Sequence, residues 1–133
     1  GMLNYGYAIV RSCMARSIVG SGLHPTLGVG HTNIHNSMCL VDDFMEPFRP
    51  ICDFLVFRLK SNGKTEVDTE VKASLSNITA IDLPSARGVT TLFTAMTDLA
   101  LSFIKVISKE EDKLTFPEFP SLLSLSSAIL KNA

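Results

Sequence analysis

All three histidines of this 133-residue chain, three of its thirteen acids and three of its six prolines fall between Gly22 and Pro50. The stretch reads GLHPTLGVGHTNIHNSMCLVDDFMEPFRP, with His24, His31 and His35 ahead of Asp42, Asp43 and Glu46. Asp43 and Glu46 are three residues apart, so on a helix their carboxylates share a face. A histidine brought to that face from the preceding loop would add one nitrogen to two oxygens, a shell suited to a divalent cation. Against this stands a plainer account. Acids are favoured in a first helical turn because its free amides carry partial positive charge. Loop histidines mostly sit in solvent, and no paired cysteine and histidine spacing of the zinc type occurs.

The elements around these residues decide whether they can meet. Gly20 to about Asn36 forms a long loop, in which His24-Pro25 fixes an extended or turn conformation and Gly28 and Gly30 widen the accessible backbone. A helical stretch from about Ser37 to Leu59 follows, interrupted by Pro47 and Pro50. Proline removes a helix donor and clashes with the turn before it, which predicts a kink or a break and restart near Glu46 to Pro50. Phe44, Phe48, Ile51, Leu55 and Leu59 continue one apolar face across the break. Arg49, three residues after Glu46, is placed either to pair with that acid or to contact a phosphate.

The flanking segments also read as helices. Leu3, Tyr7, Val10, Met14 and Ile18 make a stripe ended by Gly20 and Gly22, with Arg11 and Arg16 on a solvated face. Ser61 to Lys64 is a turn, and Asp68 or Thr69 caps a helix running to about Ile81. Pro84, Ser85 and Gly88 mark a connection. Leu92, Met96, Leu99, Phe103 and Ile107 then line a core helix over 91–108. Leu114 to Pro120 reads as an extended tail and Ser121 to Lys131 as a last short helix. The expectation is an all-α fold of about five helices in one domain over 1–133, with the Gly/Pro/His loop between the first two.

Composition sets further bounds. The chain is 46% hydrophobic with a mean hydropathy of +0.26, yet only 8% aromatic and without Trp, which suits helices packed through Leu, Ile, Val and Ala. Lys105 interrupts the longest apolar run, so no membrane span is expected, and no secretory leader is read at the start. Twelve basic residues against thirteen acids give a net charge of −1, without the basic excess of an autonomous nucleic-acid binder. Cys13, Cys39 and Cys52 form no CxxC pair and read as buried, reduced thiols of a cytoplasmic protein.

Several segments, in order, resemble one family. LNYGYAIVRS, GLHPTLGVGH and CLVDDFMEPFRPICD, followed by DTEVKASLSNI, TTLFTAMTDLALSFIKVI and LTFPEF, look like the C-terminal helical domain of the CRISPR-associated integrase in its type II form. The likeness runs from Leu3 to about Phe119. It implies a manganese or magnesium ion held by a glutamate, a histidine and a second acid. The histidine falls on His31 and the second acid on Glu46, with Asp43 supporting the site. His24 lies in the HPTLG segment, which looks structural, and His35 stands where relatives usually carry an aromatic residue. Gly30 and Thr32 flank His31 where relatives tend to carry a histidine and a basic or polar residue, a departure that weakens expected DNA contacts.

The resemblance further implies a first metal-binding glutamate before the LNYGYA helix and a β-rich N-terminal domain, neither of which these 133 residues contain. A truncated, inactive or weakly active metal-dependent DNA endonuclease and integrase is therefore expected, acting in full-length form on protospacer and repeat DNA. Its implied associates are a smaller adaptation partner protein and further copies of itself, as a homodimer or oligomer. The alternative is a non-catalytic helical remnant that keeps an interaction surface.

Overall fold

A computed structural model describes residues 1–23, 39–85 and 88–107. Helix α1 spans Met2–Gly20, α2 Cys39–Met45, α3 Arg49–Ser61, α4 Thr69–Ser76 and α5 Leu92–Ile107. A 3₁₀ turn, Glu46–Phe48, joins α2 to α3, and another, Asn77–Ala80, follows α4. Strands β1 (Asp82–Ser85) and β2 (Gly88–Thr91) pair antiparallel, Asp82 opposite Thr91 and Ser85 opposite Gly88. The described residues are mostly helical, as expected, but the hairpin corrects the all-α reading. Pro84 sits within β1 opposite Val89. A proline is tolerated there because a strand of a two-stranded sheet always has an open edge.

The ends of the helices follow from local chemistry. Gly22 (φ +87°) lets the chain close over the end of α1, with the Leu23 N–H donating to Ile18 O at 3.1 Å and the Gly22 N–H to Val19 O at 3.0 Å. Gly63 (φ +86°) repeats the arrangement after α3, where Lys64 N reaches Leu59 O at 3.0 Å. A left-handed residue at this position satisfies carbonyls that would otherwise be orphaned, and glycine adopts it without steric cost. Asp68 caps α4 by accepting from Val71 N at 2.8 Å, and Thr91 Oγ1 accepts from Thr94 N at 3.2 Å at the start of α5. The break at Pro47 and Pro50 takes the form of a restart. Met45, Phe48 and Arg49 all keep right-handed helical angles, so the chain tightens for one 3₁₀ turn and continues as α3.

One apolar core joins the elements. Phe44, Phe48, Ile51, Leu55 and Leu59 are all buried, as are Leu92, Met96 and Leu99 of α5. Phe103 meets Phe44 edge to face, with ring centroids 5.1 Å apart. In α1 the buried line runs through Met2, Gly6, Val10, Cys13, Met14, Ser17 and Ile18. The expected stripe was therefore off by one residue at its start: Leu3 is exposed and Tyr7 only half-buried. The reason is Gly6, whose missing side chain admits Cys52 of α3 against the α1 backbone. Cys13 and Cys52 are buried free thiols, as expected. Burial pushes the Cys13 thiol up, and burial, aided by Asp53, pushes that of Cys52 up to about 11.

Among the described residues no helix is long and apolar enough to cross a membrane. The Gly/Pro/His loop from His24 onward, the side chain of Cys39, the expected tail over 114–120 and the expected last helix over 121–131 lie outside the described residues.

Candidate metal site on the α1 to α3 seam

Helix α1 runs antiparallel to the α2–α3 stretch, as the order of its partners shows. Arg11 meets Asp42, and one turn earlier Tyr7 meets both Arg49 and Asp53. Arg11 Nε donates to Asp42 Oδ1 at 2.8 Å and Nη2 to Oδ2 at 3.3 Å, a two-pronged pairing that ties α2 to α1. The hydrogen bond to Asp42 raises the already high Arg11 pKa. Arg11, expected on a solvated face, is instead drawn to a partner 31 residues away, a separation that local spacing does not reveal.

Glu46 opens the 3₁₀ turn, with its side chain 54% exposed. Its Oε1 accepts from Arg49 Nε at 3.0 Å. Of the two roles open to Arg49, the structure therefore displays the ion pair. The Arg49 guanidinium also lies over the Tyr7 ring, 5.0 Å from its centroid, within the range of a cation–π contact. The Tyr7 hydroxyl in turn donates to Asp53 Oδ1. That hydrogen bond is the main cause, with burial second, that pushes the Tyr7 phenol up to about 12, while Arg49 opposes the shift. Glu46, Arg49, Tyr7 and Asp53 thus form a relay along the seam, in which Tyr7 reads from sequence only as a member of the apolar stripe and Asp53 carries no sequence expectation. The signal available was spacing: Leu3, Tyr7 and Arg11 repeat every fourth residue on α1, as Arg49, Asp53 and Phe57 do on α3.

Asp43, on α2, is partly buried and engaged in an interaction of its own. His31, the expected nitrogen donor, lies outside the described residues, as do His24 and His35. Among the described residues, no three of the His, Cys, Asp and Glu side chains group as a metal site. The carboxylates of Glu46 and Asp43 are nevertheless the hard anionic oxygens that manganese and magnesium prefer. The described part of the donor set fits such an ion in kind and supplies only part of its number.

Residues 1–80 match the family model described as CRISPR associated protein Cas1. The chain is 33% identical over 119 residues to the CRISPR-associated endonuclease Cas1 of Neisseria meningitidis serogroup C (strain 8013), covering 87% of this chain and 39% of that protein. It is 39% identical over 77 residues to CRISPR-associated endonuclease Cas1 1 of Francisella tularensis subsp. novicida (strain U112), covering 56% of this chain and 24% of that protein. The chain thus spans well under half the length of these relatives. A solved casposase bound to integration product shares the fold, with a TM-score of 0.75 over 90% of this chain and 41% of the casposase, at 22% identity.

Proposed function

This chain belongs to the CRISPR-associated Cas1 family, and from that premise we propose that it is part of a metal-dependent DNA endonuclease and integrase of the type II form. The observation that carries the reading is Glu46. It is an exposed carboxylate, set at a helical restart inside the segment that matches the family model. In this reading His31 and Glu46 hold a manganese or magnesium ion, Asp43 supports them, and Arg49 is the residue placed to meet a DNA phosphate. When bound, the ion supplies charge stabilisation to the attacking and leaving oxygens of phosphodiester transfer. The substrates are protospacer and repeat DNA. The working assembly would include further copies of the chain and a smaller adaptation partner protein.

The 133 residues by themselves should have little activity. One neutral nitrogen and one carboxylate leave most of an octahedral shell to water, so magnesium binding should be weak. Titration with Mn²⁺, followed through the resonance of the free ion, tests this. The expected result is weak binding that His31→Ala and Glu46→Gln each abolish. A tight, saturable site dependent on the same two residues would overturn the expected inactivity, and binding indifferent to both would overturn the site.

A second reading, a non-catalytic helical module, draws on one observation: Arg49 already engages the carboxylate of Glu46. That reading predicts that neither His31→Ala nor Glu46→Gln changes Mn²⁺ binding.

A further inference from the structure

Arg49 sits between two groups of different character. At its edge, Nε donates to Glu46 Oε1 at 3.0 Å, and its guanidinium carbon stands 5.0 Å from the centre of the Tyr7 ring. Tyr7 is itself held, because its hydroxyl donates to Asp53 on the same helix as Arg49. The result is a cation with a carboxylate on one side and an aromatic face on the other, the latter anchored independently of Glu46.

We propose that Arg49 is a built-in counter-ion for Glu46 that a divalent cation must displace, and that Tyr7 retains the displaced guanidinium beside the site. The inference rests on the reading of Glu46 as a metal ligand. The Glu46 and Arg49 side chains are 54% and 33% exposed and three residues apart. Such a pair is weak, so a doubly charged ion can take the carboxylate from it. The exchange answers to cation concentration. Once released, Arg49 retains its planar array of N–H donors, a geometry matched to phosphate oxygens. Stacking on Tyr7 keeps that array next to the carboxylate it has left, where an incoming phosphodiester would meet it. In the absence of cation, the same contact keeps Glu46 from standing as an uncompensated anion in the path of the DNA backbone.

The test follows the Arg49 Nε–Hε resonance of the 133-residue chain during titration with Mg²⁺, alongside Mn²⁺ affinities of the variants. The Arg49 signal should move toward that of an unpaired guanidinium with the same midpoint as Mg²⁺ binding. In Glu46→Gln it should start there and not respond. Arg49→Met should tighten Mn²⁺ binding about two- to fivefold, the scale of an exposed ion pair. Arg49→Lys, which keeps the charge, should return the affinity toward that of the unaltered chain. If Glu46-dependent binding is seen while the Arg49 signal stays fixed, or Arg49→Met leaves the affinity unchanged, the counter-ion role is overturned and the metal site stands. Absence of any Glu46-dependent binding in both the unaltered chain and Arg49→Met overturns both.

Discussion

Gly6 of α1 lies so close to the thiol of Cys52 on α3 that a methyl group on its Cα would overlap the sulfur. Leu75 of α4 borders the same point, at ordinary contact distance. The glycine of the LNYGYA segment thus marks where three helices converge. Gly6→Ala should destabilise the chain by about 1–3 kcal/mol through overpacking, offset slightly by the better helix propensity of alanine. Cys52→Ala should restore much of the loss in the double variant. Urea unfolding of the four proteins checks this, and additive effects would show that the two sites are not coupled.

Alkaline pH probes the bond between Tyr7 and Asp53. The folded phenol titrates near 12 against 10.0 in an unconstrained tyrosine. The folded state therefore holds its proton more tightly than the unfolded chain does. That contribution to stability is complete below pH 10 and is lost as pH rises toward 12. Cys52 adds a loss of the same sign between 9.0 and about 11. Tyr7→Phe should flatten the upper part of the stability curve while leaving the cysteine part. An unchanged curve in Tyr7→Phe would show that the bond does not persist in solution.

Asp68 caps α4 through the Val71 amide. Its ion pair with Lys64, 3.8 Å long and exposed, contributes little by comparison. Asp68→Ala should cost about 1 kcal/mol. Asp68→Asn should cost a few tenths, because its side-chain oxygen still accepts the amide. Equal losses in both variants, read by thermal unfolding, would transfer the effect from the cap to the charge.

Val19, Phe57, Val89, Phe93 and Leu101 are large apolar side chains left at the surface. Exposed apolar area favours association when it is contiguous, and a dimer or larger oligomer is expected. Light scattering across a concentration series should show mass rising with concentration, and Phe57→Ser or Phe93→Ser should reduce the rise. A constant monomer mass at high concentration counts against it.

Much of this arrangement was legible in the residues alone. Period and capping placed α1, α3, α4 and α5, and the two prolines located the restart that exposes Glu46. The hairpin was not legible. Four-residue strands are too short to display an alternating pattern, and Pro84 and Gly88 read as breakers. In β2, Gly88 takes a left-handed angle, φ +103°, which glycine adopts without steric cost. The seam was harder still, since Tyr7 meets Asp53 across 46 residues and the four-residue spacing on each helix does not say which two helices face each other. An isolated tyrosine in a hydrophobic stripe reads as packing, and here its ring packs while its hydroxyl does polar work.

The docking of α1 against α2 and α3 is secured by partners 31 and 46 residues away, whereas the cap of α4 and the hairpin leading into α5 are local. Distant contacts must first overcome the entropy of closing long segments of chain. Closure of the seam should therefore come late in folding, after the local pieces have formed. Substitutions at Gly6 or Arg11 would then accelerate unfolding and leave the refolding rate nearly unchanged; a slowed refolding limb in either variant would place α1 in the nucleus instead.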